Sequence, residues 1–90
     1  MQINPANYTY ITTQTTTQVV TGACTLVAIV VNTTAAGTIG IVDGTSGSTV
    51  NVGSMVASIT PGRYEYNISM SLGIRIVTAA ASDITVIWSK

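Results

Sequence analysis

The stretch CTLVAIVVN, Cys24 to Asn32, followed by TTAAGTIGIVD to Asp43, decides how the chain is read. Six apolar residues run unbroken from Leu26 to Val31, and β-branched types of this kind suit a pleated surface better than a helix. Side chains alternate along a strand, so Leu26, Ala28 and Val30 take one face and Val27, Ile29 and Val31 the other. Both faces then need cover, one from the chain's own core and the other from a second sheet or a neighbouring subunit. The small residues of Thr33 to Gly37 read as a turn that folds this strand into a hairpin with Thr38 to Asp43, where Ile39 and Ile41 share a face.

On the C-terminal side the pattern stays β. Val50 and Val52 lie on one parity and Met55, Ala57 and Ile59 on the other, which predicts a bulge or short turn at Gly53 and Ser54. Pro61-Gly62 supplies a reverse turn. Tyr64, Tyr66, Ile68, Met70 and Leu72 then alternate with Arg63, Glu65, Asn67, Ser69 and Ser71, a half-exposed strand with tyrosines on its core side. Ile74 to Val77 forms a short strand, and Ile84, Val86 and Trp88 share one face of the last. On the N-terminal side, residues 1–7 read as an arm, because Pro5 lacks a ladder donor. Residues 8–90 form a single domain. From Tyr8 to Val20 the chain is extended by composition, with threonine at 9, 12, 13, 15, 16 and 17. Polar residues on both of its faces make it an edge strand or a segment laid on a partner. No segment carries a helical apolar period. The fold class is therefore all-β: a small antiparallel β-sandwich, jelly-roll-like or barrel-like, of about seven strands without helix.

Composition bounds the function more by exclusion than by motif. The 90 residues hold three basic and three acidic side chains, and the first 42 hold none. So few cations cannot neutralise a row of phosphates, which argues against nucleic acid and anionic membrane as partners. The longest apolar run is far below the ~18–20 residues of a spanning helix. MQINPANY has neither a basic n-region nor an apolar h-region, so synthesis in the cytoplasm without a secretory signal is expected. Area scaling for 9.3 kDa gives roughly 13,500 Å² unfolded against about 5,000 Å² folded, a small core that self-association would supplement. The single cysteine, Cys24, closes no intrachain disulfide, and it reads as a buried strand residue.

Chemistry finds little to build on. Nucleophilic catalysis wants a base beside the nucleophile, and the chain has no histidine. Asp43, Glu65 and Asp83 are dispersed and read as turn or solvated strand residues, not paired catalytic acids or a calcium site. No enzyme activity, cofactor or metal is expected. The threonine-rich segment admits sharper uses: T-x-T rows suit ice binding, and Tyr8 and Tyr10 suit sugar stacking. Edge-strand solubility is the blander account.

Three segments carry a resemblance: VVNTTAAGTIGIVDG (30–44), RYEYNISMSLGIRIV (63–77) and TAAASDITVIWSK (78–90). In their order and spacing they resemble the small β-sandwich virion proteins of tailed bacteriophages and prophages, over about residues 16 to 89. The resemblance implies a structural component on the capsid surface of the virion: a decoration or cement protein that forms a homo-oligomer, a trimer by analogy, and binds the major capsid protein. It transfers no catalytic residue. Tyr8, Tyr10, Thr12, Gln14, Thr16 and Gln18 are the residues expected at the protein interface, since an uncharged segment docks without desolvating ions. The alternative is a carbohydrate- or receptor-binding module of a tail or head fibre, with Tyr8, Tyr10 and Trp88 stacking sugars.

Overall fold

Alternating apolar and polar residues build eight strands in the computed structural model, which describes residues 6–33 and 36–90. They are β1 (Asn7–Ile11), β2 (Thr16–Thr21), β3 (Cys24–Thr33), β4 (Ile39–Thr45), β5 (Ser48–Met55), β6 (Gly62–Met70), β7 (Gly73–Thr78) and β8 (Asp83–Ser89). No helix forms among the described residues. Met1 to Pro5 of the expected arm lie outside the described residues; Asn7, its last residue, already pairs with Trp88.

The strands make two four-stranded antiparallel sheets, ordered β1-β8-β3-β6 and β2-β7-β4-β5. Between them sit Ile11, Val20, Cys24, Leu26, Ile29, Val31, Ile39, Ile41, Met55, Met70, Ile74, Ile76, Ile84 and Val86, with Tyr64, Tyr66, Ile68 and Trp88 packed at the margin. Of consecutive strands only β4 and β5 pair with each other; every other connection crosses between the sheets. That order is a jelly roll, one of the all-β arrangements that bury two sheet faces against each other. The solvent-accessible surface, 4873 Å², matches the area expected for a chain of this mass.

Three expectations are corrected by this topology. β3 and β4 form no hairpin: β3 pairs with β6 and β8, and β4 with β5 and β7. Thr34 and Ala35 of the intervening turn lie outside the described residues. The threonine-rich segment is two strands, which raises the count from about seven to eight. Residues 12–15 carry the chain from one sheet to the other, pinned by buried Thr78, whose hydroxyl accepts from the Thr15 N–H (3.0 Å) and donates to the Thr13 carbonyl (2.6 Å). The break leaves no continuous flat threonine row. Its edge character holds for both pieces, since β1 and β2 each lie at the rim of their sheet.

The apolar run of β3 owes its double-sided character mostly to a bulge. Register shifts between Leu26 and Ala28 against both neighbours: against β8 Val27 is the extra residue, whereas against β6 the extra residue is on β6, where Tyr66 and Asn67 stand opposite Val27. Cys24 and Leu26 face the core before it, Ile29 and Val31 after it. An inserted residue exchanges the two faces of a strand, and the apolar pattern moves with them. Ala28 and Val30 fall on the outer face, Ala28 fully covered by its neighbours and Val30 half-exposed. A similar bulge sits at Val52, between the pairs Ile41–Gly53 and Val42–Asn51, one residue before the predicted switch. In β6 the alternation holds to Met70, but Leu72 turns outward beyond the strand.

Candidate functional site

On the outer face of the β1-β8-β3-β6 sheet, the ladder aligns residues far apart in sequence. Tyr8 pairs with Ile87 and Tyr10 with Thr85; Ile87 pairs in turn with Ala28, and Thr85 with Val30. Beyond them, on β6, lie Glu65 and Arg63, which form an ion pair with each other. The rings of Tyr8 and Tyr10 stand out from this face, 75% and 56% exposed. Ile11, one residue on, points inward and is buried, so strand alternation alone presents the two rings to solvent.

Asp83, where β8 begins, gathers polar groups beside the tyrosines. Its Oδ1 accepts from Tyr10 Oη at 2.6 Å and from Asn32 Nδ2 at 3.4 Å, and its Oδ2 accepts from Thr33 Oγ1 at 3.0 Å. Asn32 Nδ2 also reaches Thr85 Oγ1 at 3.2 Å. Donors aimed at the ionised form hold the Asp83 carboxyl below its ordinary range, the Tyr10 hydroxyl foremost, and the same bond raises the Tyr10 phenol. A shallow groove of about 300 Å³ runs along this network, lined by Tyr10, Thr12, Thr33, Ala81, Ser82 and Asp83. A second depression, about 380 Å³, lies over β4 and β5 where Gly40 and the Val52 bulge leave room; no ionisable side chain lines it.

Of the six residues expected at an interface, the fold brings together Tyr8, Tyr10 and Thr12. Gln14 is exposed in the crossover, and Thr16 is exposed at the start of β2 in the other sheet. Gln18 is half-buried and committed within the chain: its Nε2 lies within hydrogen-bonding distance of the Val20, Gly44 and Ile74 carbonyls (3.0, 2.8 and 3.2 Å), and its Oε1 accepts from Arg75 Nη1 (3.2 Å). Trp88 packs on the core from the inner face, away from the tyrosines. Asn32, Thr33, Asp83 and Ile87 were missed as members of the site. They meet because Thr33 pairs with Asp83 across the β3–β8 ladder, and a single sequence holds no local signal of that pairing.

Other reactive groups are accounted for by structure. Cys24 is a buried free thiol of the core, its pKa raised mainly by burial. Among the described residues no three of His, Cys, Asp and Glu cluster as metal ligands would, and no helix is long and apolar enough to cross a membrane. What the fold and site define is an eight-stranded jelly roll with a tyrosine-bearing sheet face whose charged groups, Arg63, Glu65 and Asp83, are each hydrogen-bonded within the chain. Compared with known proteins, the chain matches no family model, no curated protein and no solved structure.

Proposed function

We propose that this protein is a virion structural protein of a tailed bacteriophage, a capsid decoration or cement protein that self-associates and binds the major capsid protein. The observation that carries the reading is the outer face of the β1-β8-β3-β6 sheet. Two exposed tyrosines stand beside Ile87 and Thr85, with Val30 one strand further on, and among the described residues the charges nearby are a mutually paired Arg63–Glu65 and an Asp83 already holding three donors. Interface cores are depleted in unpaired charge and enriched in tyrosine, because rigid amphipathic rings bury area at low entropic cost. The resemblance of segments 30–44, 63–77 and 78–90 to phage virion proteins supplies the partner. A protein that binds only the assembled shell stabilises that state by mass action.

The test is sedimentation of the purified protein with undecorated, expanded capsids of the encoding phage. Co-sedimentation that Tyr8→Ala and Tyr10→Ala each weaken supports the reading; a wild-type chain that stays in the supernatant defeats it. One observation favours a second reading, a fibre module that binds carbohydrate: the exposed Tyr8 and Tyr10 rings border a groove carrying hydroxyl, amide and carboxylate groups. Glycan-array binding abolished by Tyr10→Ala, with no affinity for capsids, would select it.

A further inference from the structure

Four strands end the two sheets: β1 and β6 in one, β2 and β5 in the other. An unpaired edge is a template for another strand, and proteins blunt such edges with bulges, charge, proline or brevity. β2 carries a bulge at Val19. β5 carries the bulge at Val52. β6 is interrupted opposite Val27, where Asn67 takes a positive φ of 54°, and it bears the Arg63–Glu65 ion pair. β1 has neither bulge nor charge nor proline. Asn7, Tyr8, Thr9, Tyr10 and Ile11 pair with β8 in unbroken register, and the strand holds no charge, proline or glycine. Its one restraint is a length of five residues.

We propose that β1 is a self-association edge, at which β1 of a second copy of this chain pairs antiparallel about a two-fold axis at Thr9. The inference rests on the self-association in the reading above and names the strand responsible. The geometry selects this occupant because, among the described residues, β1 alone of the four edges offers a second copy an unbulged ladder. The order Asn-Tyr-Thr-Tyr-Ile is nearly palindromic about Thr9. Pairing it with itself sets Tyr8 opposite Tyr10 of the second copy, and Tyr10 opposite Tyr8. Cross-strand aromatic pairs are among the favourable contacts of a sheet, and all four rings fall on one face because both strands present their tyrosines outward. No charged side chain of β1 meets a like charge across the axis. Two four-stranded sheets merge into one of eight, ordered β6-β3-β8-β1 and then β1-β8-β3-β6 of the second copy. The isologous contact closes at two subunits, in place of the trimer that the resemblance implies.

Light scattering on the native chain without capsids tests the stoichiometry, and disulfide trapping tests the register. Buried Cys24 stays in place, with the unmodified chain as the blank. The expected mass is twice 9.3 kDa. Under mild oxidation an equimolar mixture of Tyr8→Cys and Tyr10→Cys chains forms a mixed disulfide dimer, whereas either variant alone does not, since residue 8 faces residue 10 and not itself. Thr9→Lys sets two ammonium groups face to face and weakens self-association about tenfold, with the circular dichroism of the sandwich retained. A native mass of one or three chains, or Tyr8→Cys cross-linking by itself as readily as in the mixture, overturns the inference. Capsid binding by a chain that fails these tests would leave the decoration role standing and remove only the edge.

Discussion

Two aspartates, Asp43 and Asp83, divide the molecule between them. Asp43 lies within β4 and Asp83 begins β8; each is held below the ordinary carboxylate range by hydrogen bonds, but the donors differ in kind. Asp43 accepts from the backbone N–H groups of Ser71 (3.0 Å), Leu72 (2.8 Å) and Gly73 (3.2 Å), tying β4 to the turn between β6 and β7, with the Leu72 and Ser71 amides the main causes of its lowered pKa. Among the described residues Asp83 accepts from side chains, those of Tyr10, Asn32 and Thr33. Backbone amides in a turn have few other partners and cannot leave, so the first carboxylate is a piece of the fold. Side-chain donors on an open face can rotate towards a ligand. The second carboxylate organises a surface without being needed to build it.

The largest effect that would sharpen this contrast lies next to Asp43. Gly73 adopts φ +141°, and an added Cβ would stand 2.4 Å from the Val20 carbonyl oxygen. Gly73→Ala is expected to destabilise by at least ~3 kcal/mol, combining backbone strain with displacement of a neighbouring strand. The urea midpoint followed by Trp88 fluorescence reads it, and a midpoint near wild type would mean that the turn relaxes freely.

Asp43→Ala comes next, at about 1–2 kcal/mol for lost charge-assisted bonds on a solvated rim. Asp83→Ala is its counterpart and should leave the midpoint near wild type while weakening capsid sedimentation. Equal losses of stability in the two variants would erase the distinction. Tyr8→Ala, at a side chain three-quarters exposed, should likewise leave stability unchanged and reduce binding.

The smallest effect is on pH dependence. Both carboxylates have folded pKa values depressed below their unfolded ones. The contribution of Asp43 is therefore fully present above the unfolded carboxylate pKa, about 4, and is lost as pH falls through its lower folded value, whereas that of fully exposed Asp83 is screened by solvent. With no histidine in the chain, stability should be flat between about pH 5.5 and 8. Urea midpoints measured below pH 4 should fall less steeply in Asp43→Ala than in wild type; an unchanged slope would show that its turn is held by other contacts.

How far the sequence carried the reading differs from strand to strand. β6 to Met70, β7 and β8 were legible because each keeps one parity along its length: Ile84, Val86 and Trp88 face inward as their spacing requires. The switch in β5 was legible to within one residue, since two valines and a methionine on opposite parities demand an insertion. β3 was less so. Bulges and double-sided burial leave the same unbroken apolar run, and only the ladder to β8 shows that Val27 is the extra residue. The break between β1 and β2 was hidden for a similar reason. Thr12 to Thr15 look like their strand-forming neighbours, and what bends them across the sandwich is the hydroxyl of Thr78, sixty-three residues from Thr15.

Of the candidate site, the sequence marked Tyr8, Tyr10 and Thr12, because exposed tyrosines in an uncharged stretch are a local feature. It set Gln18 beside them, since polarity alone does not reveal that an amide is already engaged. By itself the sequence determined the class of the fold, the edge character of the N-terminal strands and the scarcity of charge, all properties of composition and short-range alternation. Only the tertiary structure decided which strands are neighbours, that the order is a jelly roll, and that Asn32, Thr33 and Asp83 meet the tyrosines. Those outcomes depend on pairings between distant segments, and a backbone ladder forms through N–H and C=O groups that nearly every residue carries alike.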